Sequence, residues 1–138
     1  MKKKLIAAAA AALVAVSTLA GTADAQTQQP TGVWRNPKNS VHVRIQPCGR
    51  EMCGTVVWAS PRAQQKAREA GTANLIGAQL FRQFQQQSGG TWGGRVFVPD
   101  LARTVPGTLR VRSPNSVEAS GCVLGRIVCR SQTWTRVS

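Results

Sequence analysis

The chain contains few of the side chains that carry acid–base chemistry. Its 138 residues include only five Asp and Glu together and a single histidine, His42. The Gly-x-Ser-x-Gly elbow of serine hydrolases, the His-Glu-x-x-His helix of zinc proteases and a phosphate-binding glycine loop ending in Lys are all missing. These absences argue against the common hydrolase, metalloprotease and nucleotide-binding classes. We predict no catalytic residue, no metal site and no cofactor.

Residues 1–25 have the pattern of a secretory signal peptide. Lys2–Lys4 are positive, an alanine-rich apolar stretch runs from Leu5 to Ala20, and Ala23-Asp24-Ala25 is a small-x-small cleavage site. The apolar stretch is short for a membrane span, and no stop-transfer charges follow it, which disfavours an uncleaved anchor. We therefore expect cleavage after Ala25 and a periplasmic location.

Four cysteines lie in the expected mature chain, at positions 48, 53, 122 and 129. An even number of cysteines in an oxidising compartment indicates disulfides, although their spacing alone allows several pairings. The local pairing of Cys48 with Cys53 and of Cys122 with Cys129 is preferred because each pair brackets a turn. Zinc binding is disfavoured by the shortage of histidine, and redox catalysis by the absence of a two-residue spacing.

Alternation of apolar and polar residues predicts strands over most of the mature chain. Val41, Val43 and Ile45 share one face of a segment whose other face is polar, and this period of two is typical of a half-buried strand. Further short strands are predicted at 53–58, 95–98, 108–112, 117–123 and 131–137. Residues 75–87 fit helical and strand periods equally, and their setting among strands favours a strand. The pattern indicates an antiparallel barrel or sandwich.

One segment, residues 60–70, has a helical pattern instead. Ser60 can cap a helix, Pro61 suits its first position, and Gly71 can end it. Only alanines are available for burial, so we predict a short surface helix that lies over the barrel or its mouth. The expected domain organisation is a signal peptide at 1–25, a flexible lead-in at 26–31 and a single β-domain at 32–138.

The order of several short motifs resembles a known bacterial family. The motifs are Gly32-Val33-Trp34, Cys48-Gly49 with Cys53-Gly54, Trp92-Gly93-Gly94, and the ending Gln132-Thr133-Trp134-Thr135-Arg136. Together they resemble domain-of-unknown-function family 2147, and this resemblance implies an exported envelope protein with a small lipocalin-like β-barrel and no agreed activity. Many members carry an acidic segment after the first hairpin, whereas residues 60–74 of this chain are basic.

Lipocalin-like barrels also share a Gly-x-Trp near the start and an Arg near the end, and Trp34 and Arg136 match these positions. The first and last strands of a barrel must meet, and a guanidinium over an indole stabilises such a seam. We predict that Arg136 stacks on Trp34.

The formal net charge is +13 for the whole chain, and removal of Lys2–Lys4 and Asp24 with the signal peptide leaves 15 − 4 = +11. This excess favours anionic partners. Nucleic acid is not expected, because an exported protein rarely meets it. The leading hypothesis is a non-catalytic binder of a small amphipathic ligand or of an anionic lipid or envelope polymer, with peripheral membrane contact allowed. Trp58, Trp92 and Phe97 are the candidate ligand-binding residues, and Trp92 is expected to gate the mouth or to touch a membrane surface.

Two alternatives remain. A structural or envelope-stress factor would need no ligand. A hydrolase would need His42 to meet Asp100 or Glu118 across strands, but the alternation places His42 on the face opposite Val41 and Val43, where a solvent-exposed imidazole is expected.

Overall fold

The computed structural model describes residues 29–123 and 128–138, and the predicted signal peptide lies outside them. The strands are β1 (Gly32–Arg35), β2 (Val41–Cys48), β3 (Glu51–Ala59), β4 (Gln79–Gln86), β5 (Thr91–Val98), β6 (Arg103–Ser113), β7 (Ser116–Val123) and β8 (Val128–Arg136), and the helix α1 (Pro61–Glu69) lies between β3 and β4. Each strand pairs antiparallel with its neighbours in sequence, and β1 pairs with β8, so the sheet closes into a barrel. The predicted fold class is confirmed.

The barrel has two unlike ends, which we call the closed end and the mouth. The β2–β3, β4–β5 and β6–β7 turns and the start of β1 lie at the closed end. The β1–β2 and β5–β6 loops, the start of α1, the end of β7 and the start of β8 lie at the mouth. The α1 helix is thus at the mouth, as its alanine-only apolar face suggested. It is not long and apolar enough to cross a membrane, and it is the one helix in the part of the chain that the structure describes.

The half of the barrel near the closed end is filled with side chains. The largest fully buried ones include Trp34, Phe84, Ile45, Leu109 and Val117. They come from five different strands, and those in β1, β2, β6 and β7 lie on the inward face that alternation defines. This filled half is the hydrophobic core of the domain.

A bulge in β4 brings two phenylalanines into the interior. Phe81 and Phe84 are three residues apart, so strict alternation would place them on opposite faces. The pairing of β4 with β5 is irregular between Arg82 and Gln85, and Gln83 has a positive φ of 55°. The extra residue resets the alternation, and the two rings meet edge to face with centroids 5.8 Å apart. The strand itself begins at Gln79, later than the 75–87 predicted.

Two glycines make room for these rings. A Cβ on Gly54 would lie 2.5 Å from the Phe81 ring, and one on Gly94 would lie 2.7 Å from the Phe84 ring. Alternation of small and large residues on facing strands is how a narrow barrel accommodates aromatic side chains.

The seam between β1 and β8 contains the expected cation–π contact. Arg136 pairs with Trp34 in register, and its guanidinium carbon lies 4.3 Å from the centroid of the indole ring. The guanidinium also donates to the carbonyl oxygens of Thr31, at 2.8 Å, and Pro114, at 2.7 Å. Gly32 has a φ of 134° and leaves the space that Arg136 occupies. Arg136 therefore joins three segments at the closed end.

The packed structure begins before β1. Pro30 is fully buried, and its carbonyl oxygen accepts a hydrogen bond of 2.8 Å from the Trp34 indole N–H. Pro30 is in the predicted 26–31 lead-in, and this one residue packs against the closed end.

Both disulfides have the predicted local pairing. Cys48–Cys53 closes the β2–β3 hairpin at the closed end. Cys122–Cys129 joins directly paired positions of β7 and β8 near the mouth. Each end of the barrel therefore carries one covalent cross-link.

Candidate functional site

The half of the barrel near the mouth is hollow. It encloses a cavity of about 740 Å³. Its wall is mainly apolar and includes Leu80, Phe81, Val96, Val105 and Trp134. Phe81 and Trp134 also belong to the core cluster and contact each other edge to face at 5.6 Å, so these two rings form the floor between the hollow and the filled half.

The floor holds a polar group without a partner. The Trp134 indole N–H is buried and has no hydrogen-bond acceptor within residues 29–123 and 128–138. Buried donors are nearly always paired in folded proteins.

Local sequence fixes the ends of α1. The Ser60 hydroxyl accepts from the Ala63 N–H at 3.1 Å, and Pro61 follows in the first helical position. Gly71 adopts a φ of 107°, and the Thr72 N–H donates to the Ala67 carbonyl at 2.7 Å. This is the usual glycine-terminated end of a helix. The predicted helix is confirmed, within one residue of its expected ends.

The helix spans the mouth between two of its loops. At its start, the Ser60 N–H donates to the Ser40 carbonyl in the β1–β2 loop at 2.8 Å. Beyond its end, the Thr72 hydroxyl donates to the Pro99 carbonyl in the β5–β6 loop at 3.3 Å. Ala67, a residue of the helix itself, is fully buried. The α1 helix is therefore a fixed partial cover of the cavity.

Charged side chains surround the opening. Four cations, Lys38, Arg62, Lys66 and Arg130, and one carboxylate, Asp100, line the cavity. None of these five side chains has an ion pair or hydrogen bond with another residue of the described segments. We call the four cations the rim cations. They give the opening a positive potential that its single carboxylate does not balance.

Three of the four rim cations lie on one side of the mouth. Lys38 is in the β1–β2 loop and Arg130 is in β8, which is adjacent to β1 in the barrel. The start of α1, which carries Arg62, is hydrogen-bonded to the same β1–β2 loop. Asp100 is in the β5–β6 loop, across the barrel. The opening is therefore polarised, with cations on one side and a carboxylate on the other.

The three predicted ligand-binding residues are in different places. Phe97 lines the cavity, with the guanidinium carbon of Arg82 4.8 Å from its ring centroid. Trp58 is 41% exposed on the outer wall, where its ring lies 4.6 Å from that of His42. Trp92 is 6% exposed in the core cluster, paired with Leu109 in the filled half. The position of Trp92 corrects the idea of a gate, because it is at the opposite end from the mouth.

The residues of the hydrolase alternative do not meet. The His42 Nε2 lies 2.7 Å from the Asn39 Oδ1 on the outer wall. Glu118 pairs with Arg112 at 3.0 Å, and its strand β7 is separated from β2 by β1 and β8. Asp100 is at the mouth. The described residues thus supply no imidazole–carboxylate pair at the cavity.

Several cavity residues were missed by the sequence analysis, although signals for them exist. Arg62 and Lys66 are four residues apart on a predicted helix and must share a face. Arg130, Gln132 and Trp134 follow the period of two in β8 and all line the cavity. Alternation counted back along β8 from Trp134 identifies Gln132 and Arg130 as residues on the same face.

Comparison with protein-family models assigns the chain to a family. A model described as "Uncharacterized protein conserved in bacteria (DUF2147)" matches residues 32–136, which span the barrel from β1 to the end of β8. No match was found among curated proteins or among solved structures. The eight-stranded barrel is consistent with the lipocalin-like fold that the motifs implied. The chain belongs to the DUF2147 family of uncharacterized bacterial proteins.

Proposed function

We propose that this protein is an exported binding protein of the cell envelope, which holds a small amphipathic molecule in the barrel cavity without transforming it. The observation that carries the proposal is the cavity of about 740 Å³ at one end of a barrel whose other half is filled. Small-molecule sites in proteins have volumes of roughly 300–1,000 Å³ and mainly apolar walls with a few polar groups.

The arrangement of the wall favours an amphipathic ligand over a uniformly polar one. The apolar surfaces of Leu80, Phe81 and Val105 lie inside, and the charged side chains lie around the opening. An apolar group placed inside would leave water, and a polar group attached to it would stay at the mouth. Each buried methylene contributes about 0.8 kcal/mol, so affinity would rise roughly fourfold per added methylene until the cavity is full.

The positive charge of the chain supports a role in the envelope. In residues 26–138, cations exceed acidic residues by 15 to 4. Such an excess raises the local concentration of anionic lipids and envelope polymers near the protein, in a salt-dependent manner.

The proposal is tested by filling the cavity. Gly121 lines the wall, and a Cβ added there would meet Val105 at an ordinary contact distance of 3.5 Å. Gly121→Leu should therefore fold and occupy the space of a ligand. We expect the wild type to bind a neutral naphthylamine dye with increased fluorescence, and Gly121→Leu to lose most of that binding.

The matched control is Thr133→Leu, which adds a similar side chain on the exposed outer face of β8. It should bind the dye like the wild type. Native mass spectrometry of protein purified from periplasmic extract gives a second measurement, as a mass increment that Gly121→Leu lacks. A wild type that neither binds the dye nor retains a molecule would contradict the proposal and favour a purely structural role.

A further inference from the structure

The rim cations indicate the charge of the ligand's head group. We infer that the amphiphile in the cavity has an anionic head group, a carboxylate or a phosphate, which binds between Arg62 and Lys66 of α1 and Arg130 of β8. The inference rests on the proposed function and specifies the class of ligand.

The first argument is the lack of internal partners for these cations. Arg112 forms an ion pair with Glu118 on the outer wall, and Arg136 is used in the seam. Arg62, Lys66 and Arg130 instead line the cavity and have no side-chain partner in the described part of the chain. Like charges around one opening repel each other, and an anion placed among them relieves that repulsion.

The second argument is the rigidity of the elements that carry these cations. The α1 helix is hydrogen-bonded to Ser40 at its start and connected to Pro99 just beyond its end. In β8, Arg130 follows Cys129, which is cross-linked to Cys122. Cations on anchored elements lose less freedom on binding than cations on free loops.

The third argument is the polarity of the opening. Lys38, Arg62 and Arg130 lie on the side formed by the β1–β2 loop, the start of α1 and β8. Asp100 lies across the barrel. An anionic head at the cationic side avoids the carboxylate, and its apolar chain can extend inward to the Phe81 and Trp134 floor. A cationic head would face four like charges and one opposite charge.

The test compares ligands that share one alkyl chain. Decanoate, decyl phosphate, decanol and decyltrimethylammonium are titrated into the full mature protein by calorimetry at low and at high salt. We expect both anions to bind roughly tenfold more tightly than decanol at low salt, with the advantage reduced at high salt, and the cation to bind most weakly. Comparison of the two anions distinguishes a carboxylate from a phosphate head.

Variants assign the effect to the rim. In the double variant Arg62→Ala with Lys66→Ala, the anions should bind no better than decanol, whose affinity should be unchanged. The control is Arg44→Ala with Arg68→Ala, which removes the same charge from exposed positions outside the cavity wall and should keep the preference. Arg130→Gln provides an independent second test outside the helix, should the helix variant not fold.

The outcomes separate the two proposals. Equal binding of decanoate and decanol, or an anion preference that survives all the rim variants, would overturn the inference and leave the binding function intact. Absence of binding by every ligand, together with a negative dye result, would overturn both.

Discussion

At the residue scale, Arg136 is the side chain on which the closed end most depends. It contacts the Trp34 ring and donates to the carbonyls of Thr31 and Pro114. One residue therefore connects the chain before β1, the first strand and the β6–β7 turn. The stacking of Arg136 on Trp34 was predictable from the sequence, whereas its two hydrogen bonds to carbonyl oxygens were not, because their acceptors are distant in sequence.

Replacement of Arg136 by Ala should destabilise the protein. A cation–π contact contributes about 0.5–2 kcal/mol, and two carbonyl acceptors lose a charged donor. We expect a loss of about 1–3 kcal/mol in the free energy of unfolding and a fall in Tm of at least roughly 4 °C by calorimetry. Arg44→Ala, at an exposed position of β2, is the control and should leave Tm nearly unchanged. Equal melting of the two variants would contradict this role.

At Gly54, the addition of a methyl group, and not the loss of a side chain, is expected to destabilise the protein. A Cβ at Gly54 would lie 2.5 Å from the Phe81 ring and 2.9 Å from Val43. We expect Gly54→Ala to cost about 1–3 kcal/mol by overpacking, measured by urea unfolding under non-reducing conditions. Gly121→Ala, where the added Cβ has room, should stay within about 0.5 kcal/mol of the wild type. Similar losses in both variants would show that general strand effects of alanine, and not crowding, decide.

At the element scale, the strands were predictable and the bulge was not. The sequence pattern located β2, most of β6 and β7, and the second half of β5. The first half of β5, residues 91–94, is a strand where the glycines had indicated a turn. In β4, Phe81 and Phe84 break strict alternation, since Gln83 adopts a left-handed conformation that no local sequence signal indicates. The helix was predictable from its cap, proline and glycine, since these act locally.

The site was less predictable than the fold for a related reason. Aromatic side chains are common in ligand-binding sites, and this made Trp58, Trp92 and Phe97 candidates. The sequence does not indicate which end of the barrel contains the cavity. Trp92 belongs to the filled end, and Trp58 to the outer wall. Register around the closed sheet decides these positions, and it depends on pairings between distant segments.

The two disulfides are predicted to differ in function although they are alike chemically. Cys122→Ser with Cys129→Ser should cost about 2–3 kcal/mol of stability, from the entropy of the loop that it opens. It should also weaken ligand binding, because Val123, Val128 and Arg130 line the mouth beside this bridge. Dye titration and chemical unfolding measure the two effects separately.

Cys48→Ser with Cys53→Ser is the matched comparison at the closed end. Its loss of stability should be similar, because the loops have comparable lengths, but its dye affinity should match that of the wild type. Equal weakening of binding by both pairs would mean that the cavity responds to overall stability and not to the mouth.

At the scale of the whole molecule, the barrel combines two interiors. Trp34, Phe84 and Leu109 fill one half, and the other half is a cavity covered in part by α1. A domain of this size buries a limited fraction of its surface, so a hollow half removes stability that other features must restore. The covalent link at each end and the Arg136 seam are the described features that do so.

The division of labour between the two halves affects how such a protein can evolve. Val96, Val105 and Ala119 line the cavity, so substitutions there change its shape, although Val96 and Ala119 also pack against the core cluster. Under the proposed binding function, a change of ligand would need changes in the cavity wall alone. The same separation suits the barrel to redesign, because residues that line the cavity can be changed while the side chains of the filled half are kept.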